Sequence, residues 1–223
     1  MIFTQPIFAL FFAVTAGVHW WLSDARARKL WLLAASYVFY GYWDYRFVAL
    51  IVLCTVFDYA VGLLLGRTEA PRARRSLIAA SLCMNLGLLG FFKYYGFFAE
   101  SLVNALAALG VQANLRVLHV VLPAGISFFT FQTMSYTIDV YRKKLEPQRD
   151  FLDFALFVGF FPQLVSGPIV RATEFLPQLR APRAFASVDA RRALMLFAVG
   201  YFKKACLADN IAGAIDPLFA NPS

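Results

Sequence analysis

The chain reads as an all-α, polytopic membrane protein, and three observations predict that class. Hydrophobic residues fill 61% of the 223 positions and charged residues only 15%, whereas a soluble domain carries about a quarter charged. One core cannot bury that much apolar surface, so lipid must be the solvent for the excess. The apolar residues gather into five long runs, 2–22, 30–43, 47–65, 77–92 and 117–140, on the scale of membrane-crossing helices. Lys and Arg fall in short clusters between those runs, and the clusters alternate in strength from one connection to the next.

The first run has no basic n-region and no small-residue cleavage site, so it is expected to be a retained span rather than a signal peptide. DARARK (24–29) separates it from the second run. That run is short for a span and can extend through Tyr45 or tilt less than its neighbours. WDYR (43–46) is a tight connection, and GRTEAPRARR (66–75) links the third and fourth runs. In 94–112, Phe97, Phe98, Leu102, Ala105, Leu106 and Leu109 recur at helical intervals before Gly110. This predicts a separate helix lying at the outer interface. Pro123, just ahead of Gly125, suits the start of the fifth helix. RKKLEPQRD (142–150) follows it. Near the C-terminus Ser187 is placed to cap a helix reaching about Cys206, which carries Arg191, Arg192, Lys203 and Lys204 and is expected at the inner interface.

The basic residues set the expected sidedness. With the N-terminus outside, Arg26, Arg28, Lys29, Arg67, Arg72, Arg74, Arg75, Arg142, Lys143, Lys144 and Arg149 all face the cytoplasm. Only Arg46, Lys93 and Arg116 face out, a clear positive-inside bias. The formal charge of +8 therefore reads as a topology signal, and no nucleic-acid partner is expected. The segment FFPQLVSGPIVR (160–171) tests the scheme. If 151–170 crossed the membrane, Arg171, Arg180, Arg183, Arg191 and Arg192 would land outside. Pro162, Gly167 and Pro168 break the run instead, and broken backbone is allowed at membrane depth where protein covers it. A re-entrant hairpin returning to the cytoplasmic side is the expectation.

Candidate chemistry is sparse. Cys54, Cys83 and Cys206 are far apart in apolar surroundings, with neither pairing nor metal spacing, and are expected to be small buried hydrophobes. His19 and His119 lack a nearby acid or Cys and read as interfacial polar residues, and no metal site is expected. Asp58 lies well inside the third run, where a carboxylate is costly. A hydrogen bond to a neighbouring helix and a functional role both fit it. Gln132, Ser135, Tyr136 and Asp139 follow i, i+3, i+4, i+7 and share one face of the fifth helix. That stripe is either interhelical glue or the wall of a polar cavity. In the broken segment Gln163 and Ser166 offer hydrogen bonds, Gly167 permits close backbone approach, and Arg171 could hold a phosphate or anchor to headgroups. These eight residues, 132, 135, 136, 139, 163, 166, 167 and 171, are the candidate tunnel or donor-binding set. No catalytic residue is assigned.

GISFFTFQTMSYTIDVYRKK, FLDFALFVGFFPQLVSGPIVRATEFLPQL and GYFKKACLADNIA occur in that order, with SYVFYGYWDYRF, FDYAVG and GFFKYYGFF upstream. Together they resemble the membrane-bound O-acyltransferase (MBOAT) family, in the branch of bacterial alginate and peptidoglycan O-acetyltransferases. The resemblance implies a ring of tilted helices around a thin centre, with a tunnel whose floor the 160–171 hairpin helps build. It implies transfer of an acyl group, often acetyl from a cytoplasmic thioester such as acetyl-CoA, to a glycan hydroxyl, with an extracytoplasmic acetyltransferase partner. It also implies membrane lipid as surroundings, a bacterial cytoplasmic (inner) membrane and no bound cofactor. The family's presumed catalytic histidine lies in a second half that 1–223 does not contain, and neither His19 nor His119 matches it. The expectation is an N-terminal part of a single membrane domain without its catalytic half. A transporter or channel subunit and a non-catalytic scaffold are the alternative readings.

Overall fold

A computed structural model of the chain describes residues 5–108, 121–164, 167–181, 184–212 and 215. Among the described residues every regular element is helical. The chain divides into two compact units, one of 1–23 with 182–223 and one of 24–181.

In the first unit, α1 (Pro6–Trp21) starts on a proline, whose missing N–H costs nothing at that position. Phe12 stacks on Phe197 of α9 (Ala190–Phe202), and Trp20 meets Phe185 edge-on. The cap of α9 is Asp189, which accepts from the Arg192 N–H at 3.0 Å. Ser187, expected in that role, sits in a preceding 3-10 turn and donates to the Ala184 carbonyl. Two candidate caps lie two residues apart, and the carboxylate takes the helix. Beyond Phe202 the chain continues as a π-helical turn, Lys203–Ala208.

The second unit holds the core. Asp24 caps α2 (Ala25–Gly41) by accepting from the Ala27 N–H. The second run is therefore extended backwards into DARARK, not forwards to Tyr45. A 3-10 turn at Tyr45–Phe47, closed by Asp44 on the Arg46 N–H, leads into α3 (Val48–Arg67). α4 (Pro71–Ala108) is one helix of 38 residues, about 57 Å long against a hydrocarbon core of about 30 Å. The separate interfacial helix expected over 94–112 is its continuation as far as Ala108, and 109–112 lie outside the described residues. Lys93 and two tyrosines change the polarity there, but no proline interrupts the hydrogen bonding. α5 (Ile126–Tyr141) starts later than expected, after its N-cap Gly125, whose φ of 74° favours a residue without a Cβ. Pro123 stands before the helix and accepts from the Ile126 N–H.

Among the described residues two helices are long and apolar enough to cross a membrane, Tyr45–Arg67 and Pro71–Ala108, and α1 is a shorter apolar helix. α5 is the hub of the second unit. Ile126, Phe129, Thr130, Gln132, Thr133, Tyr136, Thr137 and Val140 are all buried, because α3 and α4 pack on one side and α6 (Phe151–Gly159) on another. Outward-facing apolar residues such as Val38, Leu53 and Leu102 are more than half exposed, as expected where lipid is the solvent. Cys54 is buried, but Cys83 and Cys206 are exposed, which corrects the expectation for those two. An apolar neighbourhood in a membrane protein need not be an interior one.

The basic connections meet at one end of this unit. Arg74 donates to the carbonyls of Leu65 and Thr68 at the end of α3, and to those of Val140 and Tyr141 at the end of α5. Tyr59 donates to the Arg149 carbonyl. Lys29 pairs with Asp153. At the opposite end Tyr40 reaches the Ala124 carbonyl and Phe47 packs edge-on against Phe92.

Candidate functional site

Residues 151–180 form the broken segment. Asp150 caps α6 through the Leu152 N–H at 2.8 Å. α6 has nine residues, about 14 Å, less than half a bilayer core, yet Leu152–Gly159 are buried throughout. The helix stops at Phe160, resumes for one turn as α7 (Phe161–Leu164), and the chain has no regular structure over 167–171 before α8 (Ala172–Arg180).

A helix end buried among apolar side chains leaves carbonyls and N–H groups without partners. Two neighbouring helices supply them. Gln132 of α5 donates its side-chain amide to the Phe157 carbonyl at 2.7 Å and also reaches Gln163 Oε1 at 3.3 Å. Ser36 of α2 accepts from the Phe161 N–H at 3.2 Å while its own hydroxyl donates to the Leu32 carbonyl. Gly167 closes the turn, its N–H on the Gln163 carbonyl at 3.3 Å. A Cβ there would lie 2.6 Å from the Gln163 Cα and 2.9 Å from the Pro162 carbonyl oxygen. Close approach is therefore the reason for glycine.

Both legs of the segment are tied to one side chain at the basic end. Gln148 donates to Asp153 Oδ2 near the start of α6 at 3.1 Å and accepts from Arg180 at the end of α8 at 2.5 Å. Lys29 holds the other carboxylate oxygen at 2.5 Å, and Tyr136 Oη accepts from the Gln148 N–H at 2.9 Å. Residues 153 and 180 thus sit at the same end of the unit, 27 positions apart in sequence.

A second polar network lies between α3, α4 and α5. Ser81 donates to Asp58 Oδ1 at 2.6 Å and Asn85 to Oδ2 at 2.8 Å. Thr137 meets Ser81 at 3.0 Å, and Thr133 donates to Asn85 Oδ1 at 3.0 Å. All five are fully buried. Neutral donors converge on the carboxylate, so Asp58 has the neighbouring-helix partner that its position called for.

Of the expected set, the structure brings together Gln132, Gln163 and Gly167 around the break. Tyr136 joins the Gln148 cluster and packs its ring 4.6 Å from that of Phe154. Ser135 and Asp139 do not join them. Both are half-buried, and the Ser135 hydroxyl donates back to the Gln132 carbonyl of its own helix. The stripe therefore splits, and the threonines at 133 and 137 carry the other buried polar face. Arg171 is exposed at the N-cap of α8. Ser166 and His119 lie outside the described residues, while His19 stacks edge-on against Trp20 in the first unit. No group of three or more His, Cys, Asp or Glu able to hold a metal ion occurs among the described residues.

Among the described residues, clefts open at the basic end. One is lined by Tyr59, Gly66, Arg67, Glu146, Pro147 and Arg149, and another by residues 145–150 with Asp153 and Arg180. Sequence reasoning missed Ser36, Ser81, Asn85, Gln148 and Asp153. The i, i+4 pair of Ser81 and Asn85 in an apolar run was the available signal.

Similarity to known proteins extends along the whole chain. It is 36% identical over 222 residues, 99% of its length, to a probable alginate O-acetylase of Azotobacter vinelandii. Over 227 residues it is 37% identical to the probable alginate O-acetylase of Pseudomonas aeruginosa. Over 247 residues, covering 97% of this chain, it is 32% identical to a peptidoglycan O-acetyltransferase of Helicobacter pylori. The chain spans 43–46% of the length of these relatives. No family model matches it, and no solved structure does. These relationships bear out the resemblance from end to end and do not favour the transporter or scaffold readings.

Proposed function

We propose that this chain, a relative of alginate and peptidoglycan O-acetylating proteins along its whole length, is part of a membrane enzyme that moves an acetyl group to a polysaccharide hydroxyl. The single observation that carries the reading is that relatedness, at 32–37% identity over 97–100% of the chain. In such a transfer the hydroxyl oxygen bonds to the acyl carbon, the bond to the donor's leaving group breaks, and a base takes the hydroxyl proton. No residue of this chain is assigned that proton. Its contribution is the scaffold: the bundle, and the broken segment held by Gln132 and Ser36. The donor is a cytoplasmic acyl thioester such as acetyl-CoA, met by Arg171 at the segment's exit. The acceptor is a glycan outside the cell, served by an extracytoplasmic partner protein.

The topology that goes with this reading has an outside N-terminus, five spans in the bacterial inner membrane, and residues 151–180 re-entering from the cytoplasmic side. The shared attachment of Asp153 and Arg180 to Gln148 supports a segment that returns to where it entered, and so do the nine residues of α6, too few to cross.

A chimera tests the function. Residues 1–223 replace the matching stretch of the Azotobacter alginate O-acetylase, and acetyl content of secreted alginate is measured. Acetylated alginate supports the reading, and a stably inserted chimera that leaves alginate unacetylated refutes it. Single cysteines at residues 46 and 178, introduced after Cys83→Ser and Cys206→Ser, test topology with an impermeant maleimide on intact cells. The expectation is labelling at 46 and none at 178, and labelling at 178 excludes the hairpin.

A further inference from the structure

We propose that the basic end of the 24–181 unit is a docking surface for the phosphate headgroups of anionic phospholipids, with Arg67, Arg72, Arg75, Arg142, Lys143 and Lys144 as the contacting groups. This rests on the reading of the chain as membrane-spanning. A topology signal needs only the number of charges on each side; here the fold also arranges them.

The two clusters belong to different connections, and Arg74 joins those connections by bonding to the last carbonyls of both α3 and α5. Gly66 and Pro147 press together at the same place, so closely that a Cβ on Gly66 would overlap the proline ring. At the end of α5 the chain reverses through Lys143, which takes a φ of 57°. The N–H groups of Lys144 and Leu145 fold back onto the Asp139 carbonyl. That reversal leaves Arg142, Lys143 and Lys144 exposed in a row. Arg67, Arg72 and Arg75 are exposed as well.

None of the six has an acid within ion-pair distance among the described residues, where the pairs are Lys29–Asp153, Arg46–Asp44 and Lys204–Asp209. Glu69, Glu146 and Asp150 are exposed at the same end, and the cations outnumber them. Only the three residues 68–70 separate α3 from α4. The charges therefore stay at the helix ends, at the depth where headgroups lie. A soluble nucleotide would need cations gathered into a cleft, yet five of the six lie outside both clefts at this end, whose arginines 67, 149 and 180 stand beside Glu146, Asp150 and Asp153. Exposed bases close to an anionic leaflet attract it additively.

The test uses residues 1–223 in mixed micelles with fluorescent phosphatidylglycerol or phosphatidylcholine. Wild type is expected to prefer phosphatidylglycerol by roughly tenfold at low salt. The triple variants Arg67→Gln/Arg72→Gln/Arg75→Gln and Arg142→Gln/Lys143→Gln/Lys144→Gln should each lose most of that preference, and Lys93→Gln at the opposite end should lose none. Raising NaCl to about 0.5 M should erode the wild-type preference by screening, a readout that needs no variant to fold. Equal affinity for both lipids in inserted protein overturns this proposal and leaves the function untouched. Displacement of phosphatidylglycerol by ATP overturns the lipid assignment in favour of a soluble phosphate. Release of the chain from membranes by alkaline carbonate overturns the membrane reading itself.

Discussion

Replacing Gly167 by alanine isolates the geometry of the broken segment in one methyl group. The new Cβ would stand 2.6 Å from the Gln163 Cα and 2.9 Å from the Pro162 carbonyl oxygen, about 1 Å inside normal carbon contact. Both obstacles are backbone, so no side chain can rotate away. The turn must open, which stretches the 3.3 Å bond from the Gly167 N–H to the Gln163 carbonyl and carries Gln163 away from Gln132. Overpacking of this kind costs about 3 kcal/mol. For a chain of this size that corresponds to a fall of roughly 6–12 °C in apparent melting temperature. The assay is thermal unfolding of the purified chain in detergent, with Gly90→Ala as control. Nothing lies within 4 Å of a Cβ at Gly90, and helix propensity there favours alanine by about 1 kcal/mol. A Gly167→Ala protein that melts with wild type would mean that the turn is loose and that Gly167 is not closely packed on Pro162 and Gln163.

Three further outcomes follow from the networks. Gln132→Leu removes the donor to the Phe157 carbonyl and should cost about 1–3 kcal/mol for a buried acceptor left unmade; Ser36→Ala should act similarly through the Phe161 N–H, both read by thermal melting. Lys29→Ala strands the carboxylate of Asp153, whose side chain is 5% exposed, and should cost about 3 kcal/mol, much of it recovered in Lys29→Ala/Asp153→Ala. A double variant as unstable as the single would show that the pair is not an isolated ionic contact. Asp58→Leu orphans donors on Ser81 and Asn85 and should destabilise by about 3 kcal/mol, while Asp58→Asn, which keeps one acceptor oxygen, should lose less. Equal melting of the two would remove hydrogen bonding as the reason for the buried carboxylate.

The apolar runs were legible because hydropathy and length decide which segments can enter lipid, and each of α1 to α4 overlaps one of them, α2 and α4 with shifted ends. Polarity is a poorer guide to where a helix stops. Lys93 and the adjacent tyrosines mark a change of solvent, yet α4 runs through them unbroken. The glycine of the broken segment was readable as a place of close backbone approach, and the fold adds which backbone it approaches, that of Pro162 and Gln163. Asp58 announced itself as a carboxylate in an apolar run, and only the fold could say that Ser81 and Asn85 receive it. The Lys29–Asp153–Gln148–Arg180 cluster draws on four segments spread over 151 positions. No local periodicity encodes such a meeting, so no reading of one stretch could find it.

α5 is what makes the two networks one structure. Thr133 and Thr137 face α3 and α4, while Gln132 and Tyr136 face the broken segment, and each pair is one residue out of step with the other. Consecutive residues are about 100° apart around a helix, so the two polar faces adjoin. Sliding α5 by one turn, or rotating it by one residue, would break the bonds to Asn85 and Ser81 together with those to Phe157, Gln163 and Gln148. The Asp58 network therefore does more than satisfy a buried acid. It fixes the height and rotation of the helix that fixes the break, so that the ends of α6 and α7 are held at a defined level of the bundle. The same logic explains the choice of side chains: threonine suffices where a hydroxyl meets a neighbouring helix, whereas glutamine is needed to reach across to a carbonyl whose helix has ended.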